Sequence, residues 1–220
     1  MSTRIPAAYS RVYSRAEDLS DAIIHISGIT AALIGGPILI TLAAIWFGSW
    51  SVVTATTVYV VCLVLMLTCS ALYNMVNRPG LKDRLRRIDQ SAIYMKIAGT
   101  YTPFVALAGT HAGWFLAGIW SVAIGGASLI LFAPARFRLI AIVLYLALGW
   151  AGVFWGGPLV SNLSAGGSIL LLIGGCLYTA GVAFLLWERL PFHNTIWHVF
   201  VLAGTAVCYA ALVVELSGHA

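Results

Sequence analysis

Charge is scarce in this sequence. Asp, Glu, Lys and Arg make up only 9% of its 220 residues, against about 25% in a soluble domain. A chain so poor in polar groups cannot cover a water-facing surface, which excludes a soluble globular fold. Short metal-type cysteine spacings are also missing. Cys62, Cys69, Cys176 and Cys208 all lie inside apolar stretches with no CxxC among them, so they read as small core residues and give no evidence of a disulfide framework. The polar start "MSTRIPAAYSRVYSRAEDLSDA" leads into a long apolar run without a clear cleavage site, so a retained first span is expected in place of a removable leader. Separate soluble domains, low-complexity tracts and internal repeats are lacking too. The expected organisation is a cytoplasmic segment over residues 1–22 and a single membrane domain over 23–220.

What remains is hydrophobic: 61% of residues, with a mean hydropathy of +0.96. A membrane-spanning helix needs about 20 mostly apolar residues. Seven segments qualify, near 23–46, 52–76, 92–108, 114–132, 139–154, 168–187 and 195–216, and predict an all-α bundle of seven transmembrane helices. Trp46, Trp50, Trp114, Trp155 and Trp187 stand near predicted span ends, as in an aromatic belt. Patches such as "GGPIL", "IGGAS" and "LIGGC" suit close helix contacts in lipid.

Basic residues are absent from every second loop. "GSWS", "AGTHAG" and "WGGPLVSNLSAGG" hold none, and Arg4, Arg11, Arg15, Arg78, Lys82, Arg84, Arg86, Arg87, Arg136, Arg138 and Arg189 fall on the other side; Lys96 alone is inside a span. The positive-inside rule then predicts a cytoplasmic N-terminus and an outside C-terminus. The net charge of +5 is thus a topology signal. It argues against nucleic acid as a partner and for membrane lipids.

On this map the unusual polar residues gather at one end. His25 opens the first span, Ser70 and Asn74 close the second, Asp89 precedes the third, and His193, Asn194 and His198 open the seventh. All are predicted near the cytoplasmic side, on four helices. Ionisable groups in lipid are costly unless they face one another or water, so a convergent cavity is the simplest reading. Ser70 and Asn74 are four apart, as are Asn194 and His198, and each pair shares a helix face. Lys96 lies seven residues beyond Asp89, too far for direct contact, and needs water or a polar group from another helix. Each residue also has a plain structural reading: an interfacial His25, a Ser70 bonded to its own helix, an N-capping Asp89, a snorkelling Lys96. Glu215 and His219 read as interfacial, and His111 has no assigned role.

The stretches "SALYN", "RRIDQSAIYMKIAGTYTPF" and "HNTIWHVFVLAG", with "DAIIHISG" in the first span, resemble the hemolysin III family. That family is part of the superfamily of progestin and adipoQ receptors and alkaline ceramidases, and the resemblance covers essentially the whole chain. It implies a seven-helix membrane protein, in the plasma membrane (a bacterial inner membrane), with a cytoplasmic-side zinc site. In relatives three histidines hold the ion, one of them four residues after a serine in span two and the others an HxxxH pair opening span seven. A serine and an aspartate stand beside the metal. Ser70 and Asp89 match those catalytic positions, and His198 matches the second histidine of the pair. Asn74 and Asn194 replace the other two histidines, and a carboxamide oxygen is a weak zinc donor. His193, displaced by one residue, is the substitute ligand to consider, and His25 a further nitrogen. His193 and His198 point about 140° apart on a regular helix, but Pro191 makes a helix start beside His193 believable.

Two functions follow from the resemblance. One is metal-dependent hydrolysis of a lipid amide or ester by a metal-activated water, with Asp89 as base or water-positioner and Ser70 stabilising the developing charge. The alternative is a non-enzymatic protein, either the cytolytic pore former that the family name describes or a lipid-responsive sensor.

Overall fold

The structure, a computed structural model, describes residues 13–109, 112–132 and 138–218. Arg4, Arg11, His111, Arg136, His219 and the rest of the first twelve residues lie outside the described residues. Every regular element among those described is helical. In chain order they are α1 (Arg15–Leu42), α2 (Trp50–Met75), α3 (Pro79–Ala108), α4 (Gly113–Phe132), α5 (Arg138–Trp155), α6 (Gly157–Val160), α7 (Ala165–Leu186) and α8 (His193–Ser217). α6 is a single turn in the loop after α5, and the other seven are the expected spans. α1 runs on into a π-helical turn, Ala43–Phe47, before Gly48 turns the chain at φ 67°.

Local sequence explains the starts. Ser14 and Glu17 form a capping box, each side chain bonding the other's backbone N–H, so α1 begins at Arg15 and not at Ile23. Pro79 opens α3, where its fixed φ suits the first turn. The stretch expected as a basic loop, from Lys82 to Arg87, is therefore helix.

Five helices are long and apolar enough to cross a membrane: α1 with its π turn, α2, α4, α7 and α8. α5 contributes a shorter apolar stretch, Leu139–Trp155, and α3 is charged in its first half and apolar in its second. Large apolar side chains such as Ile34, Ile45, Leu65, Phe132 and Phe154 point outward. On a soluble protein such a surface is a liability; on a multi-pass membrane protein it is the lipid contact.

Neighbouring helices pack mainly in sequence order, and α8 returns to lie against both α7 and α1. α5 and α7 meet only sparingly, which leaves the bundle loosest between them. In lipid, packing itself drives association, so small residues matter. At Gly126 of α4 an added Cβ would stand 2.5 Å from the ring of Tyr94. Tyr94 is wholly buried and its hydroxyl donates to the Ala141 carbonyl at 2.9 Å, so one side chain joins α3, α4 and α5.

Glu215, expected at the interface, is buried at 6% exposure. It accepts bonds from the Ser164 N–H and, at 2.6 Å, from the Ser164 hydroxyl. Those donors sit at the start of α7 and need an acceptor that lipid cannot supply, which is why the carboxylate turns inward.

Gly126→Ala is expected to destabilise the protein by ~1–3 kcal/mol through overpacking against Tyr94. Gly118→Ala on the same helix faces open space and is expected to be neutral or slightly stabilising. Unfolding of both variants in one detergent measures the difference.

Candidate functional site

Three acidic or basic residues recur every fourth position along the start of α1: Glu17, Asp21 and His25. Four-residue spacing stacks them on one face, and all three are buried. Glu17 completes the cap of α1 with one oxygen and accepts the backbone N–H of Phe192 at 3.0 Å with the other. Phe192 precedes α8 with φ 59°, a left-handed conformation rare for a bulky residue. Its bond to Glu17 helps hold that strained turn where α8 starts.

Asp21 is the hub. One carboxylate oxygen accepts Asn194 Nδ2 at 2.6 Å, and the other accepts the Thr195 hydroxyl at 2.5 Å. Asn194 Nδ2 also donates to Asn74 Oδ1 at 2.9 Å. Asn74 Nδ2 in turn donates to the Ser70 carbonyl at 2.9 Å and lies 3.3 Å from His25 Nε2. The carboxylate and the carbonyl only accept, so they fix which way both amides face. His25 Nδ1 lies 2.6 Å from the Asp21 carbonyl, which must take its proton. That leaves His25 Nε2 as an acceptor for Asn74 and Ser70.

Ser70 lies between two imidazoles. Its Oγ is 3.3 Å from His25 Nε2 and 3.4 Å from His198 Nε2. The rings meet edge to face with centroids 4.3 Å apart. Asp89 reaches the Ser70 side chain from α3. His198 Nδ1 is buried without a hydrogen bond, 3.9 Å from Asp21 Oδ1. Asp21, His25, Ser70 and His198 are each at most 9% exposed.

This cluster forms one end of a cavity of about 450 Å³. Its walls are mostly apolar and include Met66, Phe104, Tyr145, Leu171 and Val182. Val153 of α5 with Ile169 and Leu172 of α7 also line it, and these side chains are exposed on the outside of the bundle. The cavity therefore reaches the lipid-facing surface where α5 and α7 meet sparingly. Leu159 and Leu163, from α6 and the loop after it, line it as well.

The structure thus brings Ser70, Asp89, His198, His25, Asn74 and Asn194 together. Lys96 lines the same cavity, and the polar group it needs is the Tyr178 hydroxyl of α7. His193 is placed elsewhere: its ring stacks on Tyr13 at 6.1 Å, with Nε2 3.3 Å from the tyrosine hydroxyl, and it does not line the cavity. Sequence reasoning missed Asp21, Glu17 and Thr195. The signal was present in the four-residue recurrence of Glu17, Asp21 and His25.

Among the described residues no group of three or more His, Cys, Asp or Glu side chains is gathered for a metal ion. The donors present explain this. A three-histidine zinc site needs nitrogen lone pairs from α2 and α8. Here Asn74 and Asn194 direct N–H groups into the network instead, and the Asn74 amide covers the free nitrogen of His25. The residues do not fit that ion.

Comparison with known proteins agrees with the resemblance read from the motifs. A family model described as haemolysin-III related matches residues 13–209. Hemolysin-3 of Bacillus cereus is 41% identical over 196 residues, covering 88% of this chain and 89% of its own. A hemolysin-3 homolog of Bacillus subtilis is 38% identical over 195 residues, 88% and 91% of the two chains. The human monocyte to macrophage differentiation factor is 27% identical over 209 residues, 89% and 83% of the two chains.

Restoring both histidines tests the donor argument. The double variant Asn74→His/Asn194→His is expected to purify with about one zinc per chain, and the parent with none in stoichiometric amount. Elemental analysis of the two proteins, purified side by side, decides it; stoichiometric zinc in the parent sinks it.

Proposed function

This chain belongs to the haemolysin-III-related family, and on that premise we propose that it binds a single-chain membrane lipid and hydrolyses an amide or ester bond in it. One observation carries the reading. The polar cluster forms one end of an apolar cavity that opens toward lipid between α5 and α7. An acyl chain fits the apolar part, and its carbonyl group then meets Ser70, Asp89 and His198. Pockets of a few hundred Å³ with few convergent polar groups are the usual form of small-ligand sites.

The chemistry follows from the side chains in place. Asp89 takes a proton from the attacking water, acting as a general base. The Ser70 hydroxyl donates to the carbonyl oxygen as negative charge develops there. The proton that Asp89 took then passes by way of His198 to the leaving amine or alcohol. Asp21 and Thr195 hold the start of α8, and with it His198, against α1. The basic ends of α3 and of the α7–α8 turn support a cytoplasmic position for the cluster and a plasma-membrane location.

A second reading, binding without turnover, has its own support. The bonds among Asn74, Asn194 and Asp21 leave those groups mutually satisfied, as a ligand-sensing site requires. The mostly apolar lining does not suit a water-filled pore.

The protein reconstituted in bilayers is expected to release acid from single-chain acyl amides or esters, followed by mass spectrometry. Ser70→Ala and Asp89→Asn are expected to lower that rate by about 10²-fold or more while lipid binding persists. Binding without any release in the parent rejects hydrolysis in favour of the sensing role.

A further inference from the structure

Lys96 is the charge that the proposed chemistry does not use. It stands well inside α3 and is only 5% exposed. Its Nζ donates to the Tyr178 hydroxyl and lies 4.2 Å from the centre of that ring. Tyr178 passes the contact to Thr205 of α8 at 2.8 Å. Both partners are neutral. No carboxylate among the described residues forms an ion pair with Lys96. Asp89, on the same helix, is seven residues away, roughly 10 Å along the axis.

A buried amine without a counter-ion is costly to charge in any low-dielectric medium and gains its proton most readily beside a bound anion; within a membrane such a group marks a ligand or ion position. Lys96 also lines the lipid cavity. It lies on the same face of α3 as Asp89 and two turns further in, so the cationic group stands beyond the Ser70 cluster and among apolar walls. Beyond the Ser70 cluster the cavity offers one basic group among mostly apolar walls, which is complementary to an amphiphile with one negative charge and one chain. A phosphate carries more charge and more acceptors than one ammonium and one hydroxyl can serve.

We propose that Lys96 and Tyr178 form an anion subsite that holds the carboxylate of a long-chain acid, with its chain along the apolar wall toward α5 and α7. The inference rests on the reading of the cavity as a lipid site and adds the charge of the ligand. The acid has two sources, the surrounding membrane and the acyl bond cleaved at the cluster. In the second case water adds to the carbonyl carbon, the bond to nitrogen or oxygen breaks, the amine or alcohol leaves with the proton that the cluster took from the water, and the freed carboxylate moves inward to Lys96.

The test uses the full chain in bilayer discs and three ligands of equal length: palmitate, methyl palmitate and hexadecanol. Mass spectrometry counts the ligand retained, and thermal unfolding reports the stabilisation. The parent is expected to retain palmitate about tenfold more strongly than either neutral ligand. Lys96→Arg keeps that preference. Lys96→Met loses it, still retains the neutral ligands, and is more heat-stable than the parent when both are free of lipid. Equal retention of acid and ester by the parent overturns the subsite while leaving the lipid site standing, as does an acid preference that survives Lys96→Met. Retention of none of the three overturns the lipid reading itself. Carbon-labelled acyl ester separates the sources: labelled acid bound to the parent and missing from Ser70→Ala comes from cleavage, whereas free labelled acid binds both alike.

Discussion

The carboxylate of Asp21, buried between helices in a membrane protein, is the group on which the site depends. A charge there must find all its partners within the protein, because lipid offers none. It finds them on α8, through Asn194 and Thr195, and faces His198 one turn further along. Its own backbone carbonyl takes the proton of His25. One residue therefore sets the spacing of α1 from α8 and the tautomer of an imidazole, and through Asn194 it reaches α2. Bonds to a charged acceptor are about twice as strong as neutral ones, and removing the acceptor leaves several buried donors unmatched at once.

Strain and satisfaction are paired at the same end of the bundle. Phe192 adopts a backbone conformation that a bulky side chain disfavours, at a cost on the order of 1–3 kcal/mol. Glu17 binds its N–H, and Glu17 is itself held by the cap of α1. The sharp turn brings Asn194, Thr195 and His198 onto the face of α8 that looks at Asp21. Were α8 to start a residue later in a relaxed turn, its polar face would rotate by about 100° and the contacts with Asp21 would be lost.

Hydropathy made the seven spans legible because lipid demands the same property from each: about 20 mostly apolar residues. The gathering of Ser70, Asn74, Asp89, Asn194 and His198 was legible for a related reason, since polar residues in spans are few and their sidedness can be counted. Asp21 escaped because it lies in a polar stretch that reads as a solvated leader to the first span. Only the cap formed by Ser14 and Glu17 makes that stretch helix and puts Asp21 on the face of His25. Glu215 was misread by the same logic in reverse: its place near a span end suggests water, while its acceptor role toward α7 draws it inside. His193 cannot be placed by spacing at all, because it begins α8 directly after the left-handed Phe192.

The two asparagines change the sign of the site rather than abolish it. In the three-histidine arrangement that the resemblance implies, a single ion ties α2 to α8 by accepting lone pairs from both. Here Asn194 donates directly to Asn74, so the same two helices are joined at the same two positions by one hydrogen bond of 2.9 Å between side-chain amides. The second hydrogen of Asn194 goes to Asp21, and the amide of Asn74 faces His25, which brings α1 into the same junction. A hydrogen-bonded junction needs donors where a metal needs acceptors, and an amide nitrogen supplies two. Either substitution alone would leave a histidine facing an amide with no ion between them. The pair is coherent only together, and that coherence is the physical reason to treat Asn74 and Asn194 as a designed contact between helices and not as two independent losses.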